Sequence, residues 1–192
     1  MSKQENPETG AGEKQTDMKK EIISWIFYIG FVVVLTYLII TFVGQRTRVD
    51  GRSMNPTLND GDNLIVEKLS YRFSDPERFD IIVFPPKGSS EYYIKRIIGL
   101  PGETVRIDTE GNIYINDEIL EENYGKETIQ NPGRAIEPIT LGEDEYFVLG
   151  DNRNNSTDSR SDRVGNVKRD SIIGRAWVRI WPLSDIGFLK HQ

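Results

Sequence analysis

Residues 92–115, YYIKRIIGLPGETVRIDTEGNIYI, hold three short runs rich in Ile, Val, Thr and Tyr: Tyr92–Ile98, Thr104–Ile107 and Ile113–Ile115. Leu100–Gly102 and Glu110–Asn112 cut them apart. Branched and aromatic side chains suit a pleated surface, and Gly, Pro and Asn punctuate turns, so the stretch predicts strands joined by hairpins or short loops. The same pattern continues to either side. Asn63–Val66, Ile81–Phe84, Tyr146–Leu149 and Ile172–Ile180 read as strands, with breakers at Asn59–Gly61, Pro85–Pro86 and Asn131–Gly133. No convincing helix separates them, which disfavours a parallel βαβ winding and predicts a mostly β domain after Gln45.

Upstream the pattern is different. Residues 22–43, IISWIFYIGFVVVLTYLIITFV, carry no charge and as a helix would span about 33 Å, enough for a bilayer core. A buried core helix is rarely this long and apolar all round. A cleavable secretory signal has a shorter apolar core and a small-residue site after it, which is missing here. The segment is therefore expected to be a transmembrane anchor. Residues 1–21 are polar, without an apolar period, and read as a disordered tail. Lys14, Lys19 and Lys20 on one side balance Arg46, Arg48 and Arg52 on the other, so loop charge does not orient the anchor.

Composition narrows the chemistry. At 192 residues the chain has room for one membrane segment and one globular domain. A formal charge of −6 and no basic stripe argue against a nucleic-acid partner. The chain has no cysteine, which rules out disulfides, thiolate metal sites and a thiol nucleophile. Its one histidine, His191, is penultimate, where chain ends fray. A hydrolase built on this chain would thus draw its base from carboxylates or lysines.

Three segments can supply such a reaction: Gly51–Leu58 (GRSMNPTL), Tyr93–Gly102 (YIKRIIGLPG) and Gly150–Arg160 (GDNRNNSTDSR). Taken singly, Ser53 could merely shape a turn, Lys95 could be one solvated lysine of many, and the third segment could be a polar loop. Taken together they offer a serine on a Gly-flanked turn, a lysine within an apolar strand and a serine-bearing loop. By alternation Lys95 shares a strand face with Tyr93 and Ile97, and desolvation there favours the neutral amine. To act as a base at neutrality, a lysine must fall from about 10.4 to about 7–8.

These segments, in this order after an apolar helix and with Gly61–Asp62 and Asp80–Phe84, resemble the sequence boxes of bacterial type I signal peptidases in their single-anchor, Gram-positive-like form. The resemblance covers most of residues 45–181, to which the 108–142 insert contributes little. It implies a β-rich catalytic domain of coiled antiparallel sheets over 44–192, with Ser53 as acylating nucleophile, Lys95 as general base and Ser156 as a hydroxyl orienting the amine. Asp158 and Arg160 would brace the loop as an ion pair. Val49, Met54 and Ile94 would line shallow pockets for small residues at the first and third positions before the cut. Family members with a side-chain oxyanion donor carry a serine two residues before the nucleophile, where this chain has Gly51.

The resemblance further implies a cytoplasmic tail, a single pass through the cell membrane and an extracytoplasmic catalytic domain beside the secretion translocon. Its partners would be the signal peptides of exported preproteins and the lipid bilayer, with no metal or organic cofactor. Two other readings use the same residues: an autoproteolytic Ser-Lys regulator, and an inactive membrane-tethered binding module.

Overall fold

Strands with one apolar face must pair and stack to bury it, and how they do so here comes from the computed structural model, which describes residues 10–39, 44–89 and 91–189, with side chains from Met18 onward. The first nine residues of the expected tail, the last four of the expected anchor and His191 lie outside the described residues. Helix α1 spans Gly10–Leu38. Its apolar part, Met18–Leu38, is 21 residues long, with none of it buried, and is long and apolar enough to cross a membrane. The helix therefore begins within the stretch whose polarity predicts disorder. Ala11, Glu13, Lys14, Gln15, Met18, Lys19 and Lys20 are good helix formers, so a helix propagating back from the apolar run meets nothing to stop it. The chain divides into two units between Phe42 and Val43.

The second unit is mostly β, and every pairing in it is antiparallel. Its strands are β1 (Gly44–Arg48), β2 (Asn63–Glu67), β3 (Ile81–Phe84), β4 (Tyr93–Gly99), β5 (Thr104–Ile107), β6 (Ile113–Ile115), β7 (Glu118–Ile119), β8 (Ile139–Thr140), β9 (Glu145–Leu149), β10 (Val167–Lys168), β11 (Gly174–Trp181) and β12 (Gly187–Phe188). The larger, curled sheet runs β1-β2-β11-β3-β4-β9-β10, with β12 on β11, and the smaller runs β7-β6-β5-β8. Each predicted strand is present to within two residues at either end. β1 escapes a sequence reading because GQRTR has no apolar alternation; it is a strand because β2 lies beside it, pairing Gly44 with Glu67 through Arg48 with Asn63. β2 and β3 do not form a hairpin, since β11 returns between them.

β4 is buried from Ile94 to Gly99, on both faces. Ile94 packs with Met54, Leu58, Leu64 and Val83, Ile98 with Val105, Ile107, Phe147 and Leu149, and Ile97 with Ile82, Phe84 and Val148. Burial of such side chains is worth roughly 1.5–3 kcal/mol each. Three apolar clusters thus meet on the strand that carries Lys95, and the 108–142 insert contributes Ile113, Ile115, Ile129, Ala135 and Leu141 to one of them. Where β4 leaves the large sheet, Gly99 lets the layers close: a Cβ there would stand 2.5 Å from Val105 Cγ2 and 2.8 Å from Leu141 Cδ1. Gly99→Ala is expected to lower the domain's unfolding free energy by about 1–3 kcal/mol, as read from urea denaturation.

Candidate active site

The turn after β1 is closed by its own backbone, with Val49 N–H donating to Asp62 O at 2.8 Å and Gly61 N–H to Val49 O at 3.0 Å. Asp62 Oδ2 accepts from Asn59 N–H and from Arg179 Nη1, both at 2.9 Å. Met54 and Leu58, 1% and 0% exposed, peg the turn into the core, and a helical turn links them through Leu58 N–H to Met54 O at 2.9 Å. Ser53 is thereby held at the lip of a rigid turn. Gly51 has φ +89° and open space where a Cβ would stand, while its N–H donates to Asp60 Oδ1 at 3.0 Å. Backbone conformation, not lack of room, favours glycine there, since an L-serine rarely adopts that φ.

Lys95, 4% exposed, extends from β4 until its Nζ lies 2.7 Å from Ser53 Oγ and donates at 3.0 Å to Ile94 O. The Tyr93 ring centre stands 5.1 Å from the same nitrogen. Burial pulls the amine down from its ordinary value to about 8, against the raising pull of Asp158 and Asp151. No carboxylate contacts the amine among the described residues, so desolvation wins. Val49, Met54 and Ile94 are buried in the adjoining apolar cluster. With Ser53, Lys95 and Ser156 they also line a groove of about 750 Å³ that runs past β1.

The loop after β9 approaches this pair closely. A Cβ on Gly150 would stand 2.2 Å from Ser156 Oγ and 2.5 Å from Ser53 O, so the approach requires glycine. Ser156 Oγ is buried and has no hydrogen-bond partner among the described residues. It is beside the pair without a bond to Lys95. Asp158 and Arg160 form a two-pronged ion pair, Nε to Oδ1 and Nη2 to Oδ2 both at 2.9 Å. The pair is interior, with side chains 1% and 8% exposed. Asp158 Oδ2 also accepts from Gly150 N–H at 3.1 Å, and Arg160 Nη1 donates to Asn131 O at 3.1 Å.

Two further groups lie within the quoted motifs without a role assigned from sequence. Arg96 is paired with Asp151 through Nε–Oδ1 at 2.9 Å and Nη2–Oδ2 at 2.7 Å, with both side chains 0% exposed. Asn152 grips the serine turn twice, its N–H donating to Ser53 O at 3.0 Å and its Nδ2 to Arg52 O at 3.1 Å. The available signal was Arg96 itself: an arginine buried inside an apolar strand calls for a carboxylate, and Asp151 stands two residues past the predicted strand Tyr146–Leu149.

The sequence pattern of the family described as signal peptidase, peptidase S26, matches residues 22–181. Signal peptidase I of Leptolyngbya laminosa is 44% identical over 96% of this chain and 92% of its own length. Probable signal peptidase I-2 of Synechocystis is 45% identical over 83% of this chain and 73% of its own. A signal peptidase I crystal structure from Enterococcus faecalis V583 is 38% identical, covering 53% of this chain and 97% of that one, with a TM-score of 0.43.

The buried lysine has a thermodynamic consequence. With a folded pKa of about 8 against an ordinary 10.5, the unfolded chain binds more protons between those values, so stability rises with pH across that window and is penalised in full below it. The penalty near neutrality is roughly 3 kcal/mol. Lys95→Met is expected to unfold at higher urea concentration than the native protein at pH 7, with the difference closing above about pH 10.5.

Proposed function

The chain belongs to the signal peptidase family, peptidase S26, and we propose that it carries out that family's reaction with Ser53 as nucleophile and Lys95 as general base. It is a serine endopeptidase that removes signal peptides from preproteins, and its N-terminal apolar helix is a candidate membrane anchor. The observation that carries the mechanism is the 2.7 Å contact between the buried Lys95 amine and Ser53 Oγ.

In its neutral form Lys95 takes the proton of Ser53 Oγ as that oxygen attacks the scissile carbonyl. The same ammonium then protonates the leaving amine of the mature chain, and the C–N bond breaks to leave an acyl-enzyme. Water deprotonated by Lys95 attacks the acyl carbonyl and frees the signal peptide. The Ser53 N–H is one oxyanion donor, and Gly51 supplies no side-chain donor. Ser156 Oγ is buried in the same wall without a hydrogen bond to the amine, and it orients Lys95 only once its side chain turns toward Nζ as substrate binds; the Asp158–Arg160 pair braces its loop.

β1 is the terminal strand of the large sheet, and its residues 45–48 border the groove, so an extended substrate pairs with its open edge. Val49, Met54 and Ile94 then close the pockets to all but small side chains, which gives cleavage after A-x-A-like sequences. The catalytic domain faces the extracytoplasmic side of the cell membrane near the translocon. Membrane tethering raises the effective concentration of enzyme and signal peptide toward each other.

Cleavage of an A-x-A preprotein by the full chain in liposomes tests this reading. The native protein is expected to cut after the small residue. Ser53→Ala and Lys95→Ala are each expected to lose about 10³-fold or more. Because only the neutral amine is a base, kcat/KM should rise with pH through an acid limb centred at about 8. Activity persisting in Lys95→Ala means that another group is the base.

A further inference from the structure

Between β7 and β8 the chain leaves the small sheet and runs along the loop after β9. Glu122 Oε1 meets Arg153 Nη1 at 2.7 Å, with side chains 10% and 3% exposed. Arg153 Nε and Nη2 are buried with no hydrogen-bond partner among the described residues, so its charge rests on Glu122. Gly125 crosses directly over that guanidinium, where an added Cβ would lie 3.3 Å from Cζ. The Tyr124 ring centre stands 3.6 Å from Arg96 Cζ, covering the guanidinium that holds Asp151. Lys126 N–H donates to Asp151 O at 2.8 Å. Asn154 closes the far end, its Nδ2 donating to Thr128 O at 2.9 Å and its Oδ1 accepting from Gln130 N–H at 2.9 Å.

Each of these contacts ends on residues 151–154 or on Arg96, and those residues hold the dyad. Asn152 grips Ser53 O and Arg52 O, while Arg96 follows Lys95 on β4 and is pinned to Asp151. We propose that residues 122–130 are a strap that fixes the catalytic loop, and that Glu122 and Tyr124 are positioning residues acting through Arg153 and Arg96 on the Ser53–Lys95 distance. The strap acts on the dyad through residues 151–154 and Arg96, and it sets where Ser53 and Lys95 stand. Rate depends steeply on such placement, with about 10²-fold lost for a displacement of about 1 Å. A buried arginine deprived of its one anion moves toward water and takes Asp151 and Asn152 with it.

This inference rests on the Ser53–Lys95 reading. The test uses the full chain in liposomes and an A-x-A preprotein, with Glu122→Gln, Tyr124→Leu, Tyr124→Phe, Ser53→Ala and, as a control destabilised elsewhere, Val105→Ala in β5. Glu122→Gln and Tyr124→Leu are expected to lower kcat about 10- to 100-fold with KM changed less than about threefold. Tyr124→Phe should restore most of the kcat lost in Tyr124→Leu, since it returns the ring face. Val105→Ala, 0% exposed in the native domain, should lower Tm while keeping kcat. The strap is overturned if Glu122→Gln and Tyr124→Leu keep native kcat, if their loss falls on KM alone, or if Val105→Ala loses as much kcat for the same fall in Tm. Any of these results alongside an inactive Ser53→Ala overturns the strap only; an active Ser53→Ala overturns the dyad reading and the strap with it.

Discussion

Lys95 is 4% exposed on a strand buried along nearly its whole length, and its amine finds only Ser53 Oγ and the Ile94 carbonyl as close partners among the described residues. An ammonium ion in that position lacks both water and a contacting carboxylate, so its charged form is the expensive one. The cost is what lowers the amine toward the neutral form that the proposed role of base requires. It also dictates the surroundings. Three apolar clusters converge on β4, and the stability they contribute allows one strand to hold a group that would be more comfortable in water.

The neighbouring charges follow the opposite rule. Arg96 and Asp151 are as deeply buried as Lys95, yet each satisfies the other through two hydrogen bonds, and Asp158 and Arg160 do the same. Buried ion pairs are weak evidence of stability, because desolvation offsets much of their attraction. Their use here is geometric. Two planar pairs that anchor one loop, Arg96 from β4 and Arg160 from the loop itself, admit one orientation each, and together with the Asn152 clamp they fix Gly150 where its lack of a side chain lets the loop reach Ser53.

Membership in the signal peptidase family gives that geometry its setting. The substrate proposed above, an extended chain with little structure of its own, suits an open strand edge beside a pocket. In that proposal β1, the terminal strand bordering the groove, is the edge, and the pegged turn forms the pocket wall. The polarity that leaves β1 without an apolar pattern also suits a strand whose outer edge borders an open groove.

The strands, the apolar helix and the serine–lysine combination were legible in the sequence because each rests on a local signal: alternation, an uncharged run, and a lysine set among branched apolar residues. The lack of a usable histidine or any cysteine narrowed the choice of base before any contact was known. What stayed hidden is non-local. β1 is a strand by virtue of a neighbour 15 to 23 positions away, and β11 returns between β2 and β3 from the far end of the chain. Glu122, Tyr124 and Asn152 look like ordinary loop residues until the fold sets them against Arg153, Arg96 and the Ser53 turn. Sequence by itself determined which groups could do the chemistry, because residue type and local pattern set intrinsic reactivity. Only the tertiary structure decided that Lys95 loses its water and stands 2.7 Å from Ser53, because burial and distance are properties of residues 42 positions apart brought together by packing.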